Sequence, residues 1–248
     1  MKCVVCLKRV PDTGTRIKID SSGTAIDDTD VEWIVNPYDE FAITEALTHR
    51  GSDGEVIILA LGPEETTKEI RTALAMGADQ GILLQVQRPP TDPLQTAQVL
   101  ASALKELEFD LLFFGCRGVD DDNCAVGPMV ASILDIPLLS DVIQFDVEGS
   151  KATVQRETEG GHEIGNMPLP CGITTQKGLN EPKLPSLPGI MKAKKKPLEI
   201  RPVELPDSSL EIVEMSFPPD RPPGKIVGEG ADAVPELIRV LQEEAKVL

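Results

Sequence analysis

Apolar positions in the first two-thirds of the chain fall into two alternating kinds of stretch. Lys2 to Leu7, Glu55 to Leu61, Gly81 to Val86 and Asp110 to Gly115 are nearly continuous apolar runs, the pattern of strands covered on both faces. Between them the spacing becomes helical. Tyr38 to Arg50 places Phe41, Ala42, Ala46 and Leu47 on one face, and Pro63 to Met76 does the same with Ile70, Ala73 and Leu74. Gly77 follows directly, where a helix ends on a residue of positive φ. Two further helices are predicted from about Pro93 to Leu107 and from about Ala125 to Leu134. This alternation predicts an α/β fold with a doubly wound, Rossmann-like parallel sheet.

The pattern changes after Pro137. Asp141 to Val147 and Ala152 to Glu157, joined through Glu148, Gly149 and Ser150, predict a β-hairpin. His162 follows Gly160 and Gly161 in an expected turn, and Cys171 to Thr175 is a further short strand. From Pro197 to Gly230 proline and charge dominate without periodicity, which predicts an extended arm on the surface or around another subunit. Ala231 to Val247 regains helical spacing, with Val234, Leu237, Ile238 and Leu241 on one face. The expected organisation is therefore a nucleotide-binding α/β domain over residues 1–196, including the hairpin at about 141–157 and a loop at 179–196. Residues 197–248 form an arm and helix for a partner.

With 248 residues the chain is long enough to bury a sizeable core. Its net charge of −17 argues against non-specific nucleic-acid binding, and one Trp and one Tyr make a poor base-stacking surface. The apolar stretch before Lys8 and Arg9 is too short for a signal-peptide core or a membrane span. The expected location is the cytoplasm, or an organelle matrix in a eukaryote. Five cysteines, an odd number, fit a reducing compartment. Cys3 and Cys6 form a CxxC, but within a strand their odd spacing points them to opposite faces, against a redox or zinc site.

Ligands of open parallel sheets bind at the carboxyl ends of the strands. Cys6 to Asp12, Asn36 to Asp39, Ala60 to Pro63 and Gly115 to Pro128 all lie at such ends or beside them. Their convergence predicts a nucleotide site, although neither GxxxxGK[ST] nor GxGxxG is present. Asp120 to Asp122 are expected to start a helix rather than to chelate a metal. Asn123 to Gly127 then offer backbone amides to a phosphate. Nucleophilic catalysis has little basis, since there is no GxSxG and only His49 and His162 could serve as bases. His49 is expected to cap its helix.

Leu179 to Lys196, LNEPKLPSLPGIMKAKKK, interleaves leucines with Pro182, Pro185 and Pro188 before a run of lysines. The prolines predict an extended loop. Leu184 and Leu187 on such a loop either fold back onto their own core or fill a partner's pocket. Lys192, Lys194, Lys195 and Lys196 form either a solvated patch or a steering surface.

Together these residues closely resemble the electron-transfer flavoprotein beta-subunit family over essentially the whole chain. The resemblance rests on CLKRVPD at Cys6 to Asp12, NPYDE at Asn36 to Glu40, and IRTALAMGAD at Ile70 to Asp79. VDDD at Val119 to Asp122, VQRETEGG at Val154 to Gly161, and LNEP with LPGIMKAKKK complete it. It implies a heterodimer with an alpha subunit that carries redox-active FAD at the interface. Electrons would pass from acyl-CoA or related dehydrogenases to a membrane quinone oxidoreductase, with no acid or base supplied by this chain. A carrier of this type is not itself embedded in the membrane.

The resemblance also implies an adenine nucleotide in this chain, AMP in most members and a second FAD in electron-bifurcating ones that oxidise NADH. Its site carries over onto Cys6, Asn36, Pro37, Tyr38, Asp39, Leu61, Asp120, Asp121, Asp122, Asn123, Cys124, Ala125 and Val126. Leu187 falls on the family's recognition-loop leucine, with Leu184, Pro188, Ile190, Met191, Lys192 and Lys195 around it. Glu157, beside Arg156, matches the acidic residue that pairs with an alpha-subunit arginine near the flavin. Departures from the family pattern stand at Thr13, Gly165 and Gly172. Asp121 replaces a glycine of the bifurcating DGDTAQVGP pattern, which favours AMP.

Overall fold

The computed structural model describes residues 1–221 and 223–248, in two compact units, Met1–Glu214 and Met215–Leu248. In the first unit, β1 (Lys2–Leu7) leads into an excursion of short strands, β2 (Arg9–Pro11), β3 (Lys18–Ile19), β4 (Ile26–Asp27) and β5 (Trp33–Val35). The alternating portion follows: α1 (Pro37–His49), β6 (Glu55–Gly62), α2 (Thr67–Met76), β7 (Gln80–Gln85), α3 (Pro93–Leu104), β8 (Leu111–Gly115) and α4 (Val126–Leu134). Next come β9 (Leu138–Glu148), β10 (Lys151–Thr158), β11 (Gly161–Pro168), β12 (Cys171–Thr175), α5 (Leu187–Ala193) and β13 (Leu198–Pro202). The second unit contains α6 (Val234–Glu243).

Nine strands form one sheet in the order β11-β10-β9-β12-β8-β1-β6-β7-β13. From β9 through β13 every pairing is parallel, whereas β10 is antiparallel to both β9 and β11. Side chains alternate across the sheet as a two-residue period requires. Val5, Ile58 and Phe113 face α1 and α2, while Val4, Ile57 and Leu112 face α3 and α4. The predicted doubly wound architecture is therefore present. Cys3 and Cys6 lie in the two opposite cores, as their spacing requires. Gly77 ends α2 at φ 140°, with the Leu47 side chain against it.

Several expectations need correction. The segment after Gly161 is not simply a turn: it is an edge strand, β11, and His162 lies on it opposite Glu157. The segment after Pro197 begins with β13, which pairs with β7. Its continuation is tied to α3, with the Ser209 amide donating to Asp92 at 2.8 Å. The first unit thus extends well past residue 196. Prolines are tolerated there because β13 is an edge strand. Leu187 to Ala193 is helical rather than extended, since Pro188 occupies the first turn, where no amide donor is needed. His49 does not cap α1; it sits 2.9 Å from Glu45 and packs edge-on to Phe145. In the second unit α6 has no buried residue, and Arg239 pairs with Glu236 and Glu243 on its surface.

Candidate nucleotide cleft and docking helix

The chain runs from β1 outward through β6 and β7, then returns to place β8 on the other side of β1. That reversal is a topological switch point, where the loops leaving two neighbouring strands diverge and open a crevice. A cleft occupies this position, bounded by Cys6, Leu7 and Lys8 at the carboxyl end of β1 and by Phe114 to Gly118 at that of β8. Leu61, Leu100, Phe114 and Val126 supply apolar wall, suited to a planar base.

Asn36 and Asp39, around the first turn of α1, hold the rim together. Both are buried. The Asn36 side-chain amide donates to Asp39 Oδ1 at 2.8 Å and to the Arg117 carbonyl at 2.9 Å, while its Oδ1 accepts from the Val119 amide at 3.2 Å. Asp39 accepts from the Lys8 amide at 2.6 Å and the Gly115 amide at 3.1 Å. Burial pushes its carboxyl up to about 7, against the pull of these donors. Gly115 is required by the close approach, because a Cβ there would lie 2.3 Å from Asp39 Oδ1.

The acidic run does not start α4. It forms the preceding turn, held by cations from elsewhere in the chain. Lys8 Nζ bridges Asp120 at 2.7 Å and Asp121 at 2.9 Å. Asp122 takes a left-handed φ of 51° and lies 3.3 Å from Arg117 Nε. Arg117 also donates to the Tyr38 hydroxyl at 2.9 Å and lies over its ring. The N-cap of α4 is Ala125, which offers no side-chain acceptor, so the first-turn amides beside Val126 and Gly127 have no capping side chain. Such an end suits a phosphate. With an apolar wall, an uncapped helix start and Lys8 at the rim, the residues present fit a mononucleotide.

Of the residues predicted for this site, the structure places Cys6, Asn36, Asp39, Leu61, Asp121, Asn123, Cys124 and Val126 on the cleft. Pro37, Tyr38, Asp120, Asp122 and Ala125 do not line it: Pro37 opens α1, Tyr38 holds Arg117, Asp120 and Asp122 are ion-paired, and Ala125 precedes α4. Pro90, Thr91, Pro93 and Thr96 also line the cleft, and the sequence expectations miss them. Their signal is a proline-flanked N-cap, Asp92, at the end of the loop that joins β7 to α3; it accepts from the Leu94 amide at 2.8 Å. Cys6 and Cys116 are poor nucleophiles. Burial pushes the Cys6 thiol up and the Cys116 thiol up to about 12.

The predicted docking residues gather on α5 and the turn before it. Leu184 is 82% exposed, Leu187 80% and Met191 65%, with Ile190 and Pro188 exposed beside them. Lys192, Lys194 and Lys195 are exposed as well, but Lys196 turns inward and donates to the Leu74 carbonyl at 3.0 Å. At the far end of the sheet Arg156 is paired with Glu163 at 2.6 Å, and Glu157 is exposed. Among the described residues no group of His, Cys, Asp and Glu could hold a metal ion, and no helix is long and apolar enough to cross a membrane.

Residues 23–206 match the electron transfer flavoprotein domain. The chain is 41% identical to the electron transfer flavoprotein subunit beta of Bacillus subtilis over 261 aligned residues, covering 100% of both chains. It is 38% identical to the Homo sapiens subunit beta over 248 residues, 96% of each chain. It is also 38% identical to the mitochondrial subunit beta of Arabidopsis thaliana, with full coverage of both. A match of this extent shows that the chain belongs to the electron transfer flavoprotein family, among its beta subunits.

Proposed function

We propose that this chain is the beta subunit of a heterodimeric electron transfer flavoprotein, that it holds AMP in the cleft at the switch point, and that it receives donor dehydrogenases of the acyl-CoA type on α5. The observation that carries the docking part is the display on α5 and the turn before it: Leu184, Leu187 and Met191 project into solvent beside three exposed lysines, on a chain of net charge −17. An apolar anchor ringed by cations fits a pocket with an acidic rim, giving a fast, steered encounter and an easy release. FAD held chiefly by the alpha subunit supplies the one- and two-electron chemistry. This chain contributes binding and orientation, with a quinone oxidoreductase as the acceptor. Glu157, exposed at the tip of β10, is available to an arginine of the alpha subunit, and an exposed pair of that kind is worth only about 0–1 kcal/mol, enough for a reversible latch.

AMP is favoured over a second FAD because Asp121 lines the cleft beside Lys8, so that a pyrophosphate there would meet a carboxylate. The test is to co-express the chain with its alpha subunit, denature the purified complex and quantify FAD and AMP per heterodimer. One of each supports the proposal. Two FAD and no AMP would replace it with a bifurcating flavoprotein that oxidises NADH, and no flavin partner at all would remove the carrier reading.

A further inference from the structure

Helix α5 has only seven residues, far too few to persist alone in water. Its own cap is local: Ser186 accepts from the Gly189 amide at 3.1 Å. What holds the rest is α2. The Arg71 guanidinium, projecting from α2, donates through one nitrogen to the Ala193 carbonyl at 2.6 Å and the Lys196 carbonyl at 2.7 Å. These are carbonyls of the last turn of α5 and just beyond it, the groups a helix leaves without partners. In return Lys196 Nζ donates to the carbonyls of Leu74, in the last turn of α2, and of Ala78, just beyond its end. Each helix therefore has its negative end capped by a cation from the other segment, the arrangement the helix dipole favours.

The two backbones also touch. A Cβ at Gly189 would lie 2.4 Å from the Ala75 carbonyl oxygen, so only glycine lets α5 approach α2 closely enough for both cations to reach. Ala193, 2% exposed, completes the contact. Nothing in this arrangement buries Leu184, Leu187 or Met191, all of which point away from it into solvent. The clamp thus has the form of a support for a display rather than part of the core.

We propose that Arg71 and Lys196 form a reciprocal helix-end clamp that preorganises the leucine display on α5, which makes Arg71 a positioning residue for donor docking. The proposal rests on the docking role given to α5 above. An anchor on an unsupported segment must be ordered during each encounter, and that ordering is subtracted from affinity. With the clamp in place the ordering is done before the donor arrives. Arg71 touches neither the cleft nor the leucines, so its loss should act on binding and leave the electron-transfer step itself unchanged.

The test uses the intact heterodimer with an acyl-CoA dehydrogenase as donor, comparing wild type with Arg71→Ala, Arg71→Lys and Leu187→Ala. For Arg71→Ala the apparent KM for the flavoprotein should rise about tenfold with kcat within about twofold, because two charge-assisted hydrogen bonds are lost. FAD content and reduction by dithionite should match wild type. Arg71→Lys, which keeps the charge on a shorter side chain that does not place a donor at the same point, should fall between the two. Hydrogen exchange supplies a second readout independent of the donor: amides of Ile190, Lys195 and Lys196 should lose protection in Arg71→Ala while those of β6 keep theirs. An unchanged KM in Arg71→Ala alongside a raised KM in Leu187→Ala would overturn the clamp and leave the docking reading standing. Unchanged KM in both variants would overturn the docking reading and the clamp with it.

Discussion

Replacing Asp39 by alanine removes the acceptor on which three parts of the cleft converge. Its carboxylate takes hydrogen bonds from the Lys8 amide, the Gly115 amide and the Asn36 side chain at 2.6, 3.1 and 2.8 Å. Alanine takes this acceptor away from all three donors, with the Asn36 amide keeping only its bond to the Arg117 carbonyl. A buried donor stripped of its partner costs roughly 1–3 kcal/mol, and taking the low end for each, because water can enter the cleft, gives a loss of about 3 kcal/mol. For a domain of this size that lowers Tm by roughly 6–12 °C. Asp12→Ala is the control, since Asp12 makes one exposed side-chain bond to the Gly14 amide and should move Tm by no more than about 2 °C. The pH dependence follows from burial, which pushes Asp39 up to about 7, whereas in the unfolded chain it ionises near its ordinary value of about 4. Between those limits the folded chain keeps a proton that the unfolded chain has released, so the stability Asp39 contributes declines as pH rises from about 4 to 7 and is level above. The gap between wild type and Asp39→Ala, measured by urea unfolding, should be wider at pH 5 than at pH 8. A Tm shift below about 2 °C, or a gap that widens with pH, refutes the assignment of Asp39 as the brace of the cleft.

Two other outcomes are expected. Cys124 is the one exposed thiol among the five and also lines the cleft, so iodoacetamide at pH 8 should modify it alone in the folded chain, and AMP should slow that reaction; labelling indifferent to AMP would place the nucleotide elsewhere. Reversing the charge of Lys192 and Lys195 together should lower the association rate with an acyl-CoA dehydrogenase and flatten its dependence on salt, since steering acts within a Debye length of about 8 Å; stopped-flow traces with an unchanged salt slope would return the lysines to an ordinary solvated surface.

The elements that could be read in the sequence are those whose burial is two-sided or periodic. β1 and β12 match their predicted limits: β1 shows its two-sided burial as an apolar run, and β12, CGITT, is a short buried stretch of small and β-branched residues that follows Pro170. β2, β3, β4 and β5 have two or three residues each, too few for any period to register. β11 and β13 are edge strands with one exposed face, and Gly165 or the flanking prolines weaken the strand signal further. α5 was hidden by its prolines, which read as loop unless Pro188 is assigned to a first turn; the N-cap Ser186 was the available cue.

The candidate site divides along similar lines. Residues next to a strand end, such as Cys6, Asn36 and Asp39, were accessible from order alone, because a parallel sheet gathers its carboxyl ends on one side. Contacts between distant segments were not. Lys8 meets Asp120 across 112 residues and Arg71 meets Ala193 across 122, and no local pattern announces either pair. That difference matters for the charge argument as well. A net charge of −17 suggests a surface hostile to acidic partners, yet three carboxylates of the Asp120 to Asp122 turn are spent on Lys8 and Arg117, while the lysines of α5 are left without such partners among the described residues. The sign a partner meets at α5 is therefore set by which charges are paired, and the chain's overall balance says little about it.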